Sequence, residues 1–143
     1  MDTKLKGDIA EQAFILSALK RNFNVLLPVG DRLPYDLVLE VGEKFIRVQV
    51  KSAWFDSKKS NFVTDVRRTK TNRRNIKRDA YSENDFDFAA VYIEDLSIFY
   101  IFPSKIFVGY GSEIHLVESN KRQRKPLSSD FRDAWDLITQ WAA

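Results

Sequence analysis

No cysteine occurs among the 143 residues, which excludes disulfide scaffolds, thiolate zinc sites and cysteine nucleophiles. The single histidine, His115, cannot build a two-histidine metal site, and its place in an apolar run reads as structural. Glycine and proline are scarce, at five and four residues. With 44% hydrophobic and 13% aromatic content, this argues for a packed core and against long disordered tracts. No apolar run approaches the roughly 20 residues of a membrane span. The opening MDTKLKGDIAEQ also lacks the apolar stretch of a secretory signal, so the expected location is the cytoplasm. At this length the expected organisation is one domain over residues 1–143.

The net charge of +3 is mild, but its placement is uneven. From Val66 to Arg78 there are seven basic residues and no acidic one: Arg67, Arg68, Lys70, Arg73, Arg74, Lys77 and Arg78. Without that stretch 16 basic residues face 20 acidic ones. A second cluster holds Lys121, Arg122, Arg124 and Lys125, and without both the balance is 12 against 20. An acidic body with two basic appendages is the pattern of a polyanion binder. The first stretch has only Val66 and Ile76 to anchor it, so the expectation is a mobile arm that orders on phosphate. Its Asn72 and Asn75, with the arginines, are suited to base edges in a groove.

Periodicity predicts a helix over Leu5–Asn22, with Leu5, Ile9, Ala13 and Leu16 on a stripe beside Ala10 and Phe14, capped by Asp2 or Thr3. Strands are predicted over Phe23–Pro28, Leu33–Val41 and Lys44–Ala53, the last two joined by a Gly42-Glu43 hairpin loop. In that register Leu37 meets Val48, Leu39 meets Ile46, and Asp36 meets Gln49. The pattern breaks after Trp54 and Phe55. Further strands are predicted over Phe62–Val66, Phe86–Ile93, Ser97–Phe102 and Ile114–Val117, with a turn at Glu94-Asp95. A C-terminal helix is predicted over Asp130–Trp141, with Ser129 as N-cap and Trp135 and Trp141 as core or oligomer contacts. A helix, five or six strands and a helix make an α/β or α+β fold around a mixed central sheet.

Gln49 and Lys51 stand two apart on one strand and leave the same face, with Asp36 opposite Gln49. A carboxylate, an amide oxygen and an ammonium therefore converge. Hard divalent cations such as Mg²⁺ are held by one or two carboxylates with waters and substrate phosphate. That suits Asp36 with a second acid, for which the helical Glu11 is the best candidate. A metal there polarises a phosphoryl oxygen and lowers the pKa of a bound water, while Lys51 orients that water or stabilises charge on phosphorus.

Gly7 and Glu11 on the first helix, Pro34-Tyr35-Asp36 at a strand start and Gln49-Val50-Lys51 on the next strand resemble the PD-(D/E)xK nuclease superfamily. The resemblance covers roughly the first 55 residues, and the later pair ending in Phe102-Pro103-Ser104 is similar to small members of it. Within the superfamily it is closest to the bacterial intron-encoded homing-endonuclease type, which also carries Gln in place of the second acid. The resemblance implies a restriction-endonuclease-like core and divalent-metal hydrolysis of double-stranded DNA to 5′-phosphate and 3′-hydroxyl ends. The metal it implies is Mg²⁺, with Mn²⁺ as a substitute. Asp36 would be the principal metal ligand, Glu11 the helical acid, Gln49 a weaker ligand and Lys51 the catalytic lysine. Tyr35 separates Pro34 from Asp36, and Gln49 removes one negative charge from the site.

Two antiparallel strands need two cuts and one small domain carries one site, so a homo-oligomer, dimer or tetramer, on a pseudo-palindromic target is expected. Two alternatives remain open: a Holliday-junction resolvase or restriction-type nuclease on the same fold, and a DNA-binding protein with a decayed active site.

Overall fold

The structure, a computed structural model, describes residues 2–71, 76–119 and 125–143, and over 68–71 and 76–79 it describes the backbone alone. Helix α1, Thr3–Lys20, begins where the Asp2 side chain accepts the Lys4 N–H at 2.9 Å. It ends where Asn22 takes a left-handed φ of 63° and the Arg21 N–H closes on the Ala18 carbonyl at 3.0 Å. Its buried stripe is Ala10, Phe14 and Ala18, not the Leu5 and Leu16 stripe, which is 49% and 54% exposed. The two alanines let the helix lie close to the sheet. Phe14 fills the remaining space, stacked on Trp135 at 4.9 Å and edge-on to Phe99 at 5.3 Å.

The chain continues through β1 (Asn24–Leu26), β2 (Leu37–Val41), β3 (Lys44–Ser52), β4 (Trp54–Asp56), β5 (Asn61–Asp65), β6 (Arg67–Thr71) and β7 (Ile76–Ala80). It closes with β8 (Phe88–Ile93), β9 (Ile98–Pro103), α2 (Ser104–Gly109), β10 (Glu113–Leu116) and α3 (Asp136–Ala142). A five-stranded mixed sheet has the order β1-β2-β3-β8-β9, with β3 and β8 parallel and the other neighbours antiparallel. A smaller sheet runs β10-β5-β4, and β6 pairs with β7 in a two-stranded ribbon.

The predicted hairpin is present: Leu37 faces Val48 and Leu39 faces Ile46, with Gly42 at a φ of 61° in the turn. Strand β2 starts only at Leu37, so the expected Leu33–Asp36 extension and the Asp36–Gln49 pairing are absent. Pro34 has no N–H to give, and the Asp36 N–H bonds the Val48 carbonyl at 2.9 Å, out of step with the ladder.

One face of the large sheet, through Ile46, Val48, Val50, Phe88, Ala90 and Tyr92, packs against α1 and α3. The other, through Ala89, Val91 and Ile93, meets Phe107 of α2 and Ile114 and Leu116 of β10. Strand β8 is thus buried on both faces, which is why it reads as a continuous apolar run. At the start of the parallel pair, Arg47 N–H donates to Asp87 Oδ2 at 2.8 Å and Asp87 N–H to the Arg47 carbonyl at 2.9 Å. The Arg47 guanidinium adds an ion pair to Asp87 at 3.3 Å.

Trp54 and Phe55 open β4, a three-residue edge of the second sheet, and the pattern breaks directly after it, one residue later than expected. The basic stretch, expected as a mobile arm, has its backbone over 67–71 and 76–80 paired in the β6–β7 ribbon. The apolar stretch Ile106–Tyr110 is largely α2. The C-terminal helix begins at Asp136, not Asp130, and Ser129 caps nothing, its hydroxyl bonding the Pro126 carbonyl at 2.8 Å. Tertiary bonds hold the preceding segment: Arg132 bridges to Tyr100 and pairs with Glu118 at 3.0 Å, and Asp133, at a φ of 51°, donates to the Phe99 carbonyl at 2.8 Å. Among the described residues no helix is long and apolar enough to cross a membrane.

Candidate active site

Asp36 sits where β2 has left the ladder, and its carboxylate turns back to β3. Oδ2 accepts the Val50 N–H at 2.8 Å, so the side chain is held by the strand that carries Gln49 and Lys51. Burial pushes the Asp36 carboxyl above the usual aspartate range, and the Val50 N–H and the Lys51 ammonium partly offset this. Glu11 is raised too, first by desolvation and then by the neighbouring carboxylates of Asp36 and Asp8. Glu11 and Asp36 line one cavity of about 240 Å³ with Asp31, Tyr35, Leu27 and Pro28.

Three of the four sequence-predicted residues therefore influence one another: the Asp36 carboxylate raises Glu11, and the Lys51 ammonium lowers Asp36. Gln49 is not brought into the cavity: its Nε2 turns to the Val50 carbonyl at 3.4 Å. Lys51 Nζ donates to the Arg67 carbonyl at 3.0 Å and lies 5.1 Å from the centre of the Tyr81 ring.

Two desolvated carboxylates that repel one another suit a hard cation, whose charge would relieve both strains at once. Among the described residues no cluster of three or more His, Cys, Asp or Glu exists, in keeping with Gln at the second-acid position. The donor set fits a small oxygen-seeking divalent ion completed by water and phosphate.

The ribbon pairs Arg67 with Ala80, Thr69 with Arg78 and Lys70 with Lys77. One rung, Lys70 with Lys77, pairs residues of like charge, and another, Arg68 with Asp79, residues of opposite charge. A two-stranded ribbon fits the major groove of B-form DNA, about 12 Å wide. Arg67 is exposed and, with Trp54 and Asp65, lines a broad concavity of about 550 Å³ at the ribbon base. Asn72, Arg73, Arg74, Asn75, Lys121, Arg122 and Arg124 lie outside the described residues. So do the side chains of Arg68, Lys70, Lys77 and Arg78.

Sequence reasoning assigned no role to Asp31 or Tyr35, which line the cavity, or to Tyr81, which faces Lys51. Pro28 and Gly30 mark the turn that brings Asp31 to the cavity, Gly30 at a φ of 80°, whereas no local pattern singles out Tyr81. Among the described residues His115 Nδ1 is buried without a hydrogen-bond partner, and the His115 carbonyl accepts from Ser128.

A family model described as PD-(D/E)XK endonuclease matches residues 1–138. Among solved structures, the bacterial homing endonuclease I-Ssp6803I is similar at 58% identity and a TM-score of 0.92, over 99% of this chain and 96% of that one. A structure titled as that of MepB aligns at 17% identity and a TM-score of 0.44, over 78% of this chain and 85% of that one, and supports nothing further. No curated protein matches.

Proposed function

The chain belongs to the PD-(D/E)XK endonuclease family, and on that premise we propose that it is a site-specific DNA endonuclease of the homing type. It acts in the cytoplasm as a single domain over residues 1–143 and leaves 5′-phosphate and 3′-hydroxyl ends. The observation that carries this reading is Asp36, a buried carboxylate clamped to β3 and coupled to both Glu11 and Lys51.

Asp36 and Glu11 are the residues that would hold Mg²⁺ or Mn²⁺, with the Gln49 amide oxygen as a weaker third donor once its side chain turns. When bound, such an ion polarises the scissile phosphoryl oxygen and lowers the pKa of an attacking water. Lys51 supplies a point of positive charge for that water or for the charge that builds on phosphorus. The Val50 N–H holds the Asp36 carboxylate, so its position does not depend on the ion. The β6–β7 ribbon and the Lys121–Lys125 cluster bind duplex phosphate and set the register of the strand to be cut.

A homo-oligomer supplies the second cut. Supporting it, α1 is apolar on both faces: Ala10, Phe14 and Ala18 fill the core, while Leu5, Leu16 and Leu19 on the opposite face are about half exposed.

The test is cleavage of a duplex pool containing candidate intronless insertion sites, in Mg²⁺ or EDTA, by the intact protein and by Asp36→Ala. Metal-dependent cutting lost in the variant is expected. Salt-sensitive binding without cutting by either protein, on a pool proven to hold the target, supports a decayed site instead. Preference for four-way junctions over linear duplex supports a resolvase.

A further inference from the structure

We propose that Tyr81 is a positioning residue for Lys51, its ring face holding the ammonium from the base of the ribbon that meets DNA. The inference rests on Lys51 being the catalytic lysine. Two contacts from opposite sides of the ribbon base meet at this one group. The Arg67 carbonyl, on the first residue of β6, accepts Lys51 Nζ at 3.0 Å. The Tyr81 ring, one residue past the end of β7, lies 5.1 Å from the same atom. Arg67 and Ala80 are direct partners in the ribbon, so one contact comes from its first rung and the other from the residue just beyond it.

The ring is a rigid platform. Tyr81 is 6% exposed and packs edge-on against Phe86 at 5.2 Å and 79°. Phe86 is fully buried and edge-on to Phe107 of α2 at 5.9 Å. A lysine has four rotatable bonds, and beside Asp36 Coulomb attraction alone would draw its ammonium onto the carboxylate. A fixed π face and a fixed carbonyl oppose that collapse and keep the charge where a phosphate oxygen can take it. The Arg67 carbonyl belongs to the ribbon and the Tyr81 ring to the core, so Lys51 is set from both sides of the ribbon base.

Tyr81→Phe keeps the ring face, while Tyr81→Met fills similar volume without one. On a duplex recovered as cleaved from the insertion-site pool, single-turnover cleavage by Tyr81→Met is expected to slow about tenfold, and by Tyr81→Phe less than about threefold. Duplex affinity should stay unchanged in both. A purely structural role would lower affinity and rate together. Proton NMR supplies a readout independent of activity: the Lys51 ε-methylene protons should be shifted upfield by the ring in the intact protein and in Tyr81→Phe, and not in Tyr81→Met. Full-rate cleavage by Tyr81→Met, equal slowing by both variants, or no upfield shift in the intact protein overturns the proposal. If Tyr81→Met does not fold, the shift in the intact protein and in Tyr81→Phe decides. Lys51→Ala runs alongside: wild-type cutting by that variant removes the catalytic role itself, whatever the Tyr81 variants show.

Discussion

The carboxylate of Asp36 accepts the backbone N–H of Val50 at 2.8 Å, closing a pairing that β2 abandons when it leaves the ladder. The bond serves the fold as well as the site. Asp36→Ala strands the Val50 N–H, and thermal unfolding in EDTA should show a loss of about 1–3 kcal/mol. Asp36→Asn keeps an acceptor at the same place and should not share that loss, although both variants should fail to cleave DNA.

The raised Asp36 and Glu11 carboxyls bind protons more tightly in the fold than in the unfolded chain. Stability therefore falls as pH rises from the ordinary carboxylate range, near pH 4, through the raised folded values, and the deficit is constant above them. Asp36→Asn removes its share. In chelator its melting temperature should exceed wild type at pH 7–8, and the advantage should vanish below about pH 4.

Gln49→Glu restores the charge that the site lacks. The Mg²⁺ concentration for half-maximal cleavage should fall on the order of tenfold, read from a metal titration at fixed DNA. An unchanged titration would mean that residue 49 does not face the ion.

Lys70 and Lys77 are direct partners in the ribbon. Replacing both with Ala should weaken duplex binding and flatten the plot of log affinity against log salt by about 1.8, two lost phosphate contacts at about 0.9 each. A parallel loss without a change in slope would assign the ribbon to folding rather than to phosphate.

Phe14 joins the helix that carries Glu11 to both Phe99 and Trp135. Phe14→Ala should cost about 3–5 kcal/mol in urea unfolding, a large share of a small domain's stability. Leu16→Ala, on the opposite face, should change monomer stability little and lower the oligomer mass in light scattering.

The hairpin was legible because Gly42-Glu43 sets a register and apolar residues then match across it. That local rule brought Leu37 to Val48 and placed Gln49 and Lys51 on one face. The first helix was legible as a helix but not in its facing, because leucines lie on both sides and only the sheet selects Ala10 and Phe14. Strand β4 was hidden by its length of three residues, which gives alternation no room to show. Of the candidate site, Asp36 and Lys51 are named from the hairpin, whose register does not extend to Asp36, and Glu11 as the candidate second acid on the first helix. Asp31 and Tyr81 reach it through tertiary packing, on which local periodicity is silent.

Strands β3 and β8 are parallel neighbours, and everything from Ala53 to Asp87 lies between them. The β2–β3 and β8–β9 hairpins can close on their own timescale, but joining them requires a long loop to be drawn in, which makes this the expected slow step of folding. Lys51 takes Val91 as its partner in that late pairing. A ribosome that has delivered the chain as far as Asp85 has thus released every candidate catalytic side chain and the basic ribbon, but no strand to hold Lys51 in register. Cutting is expected to begin only after β8 has emerged.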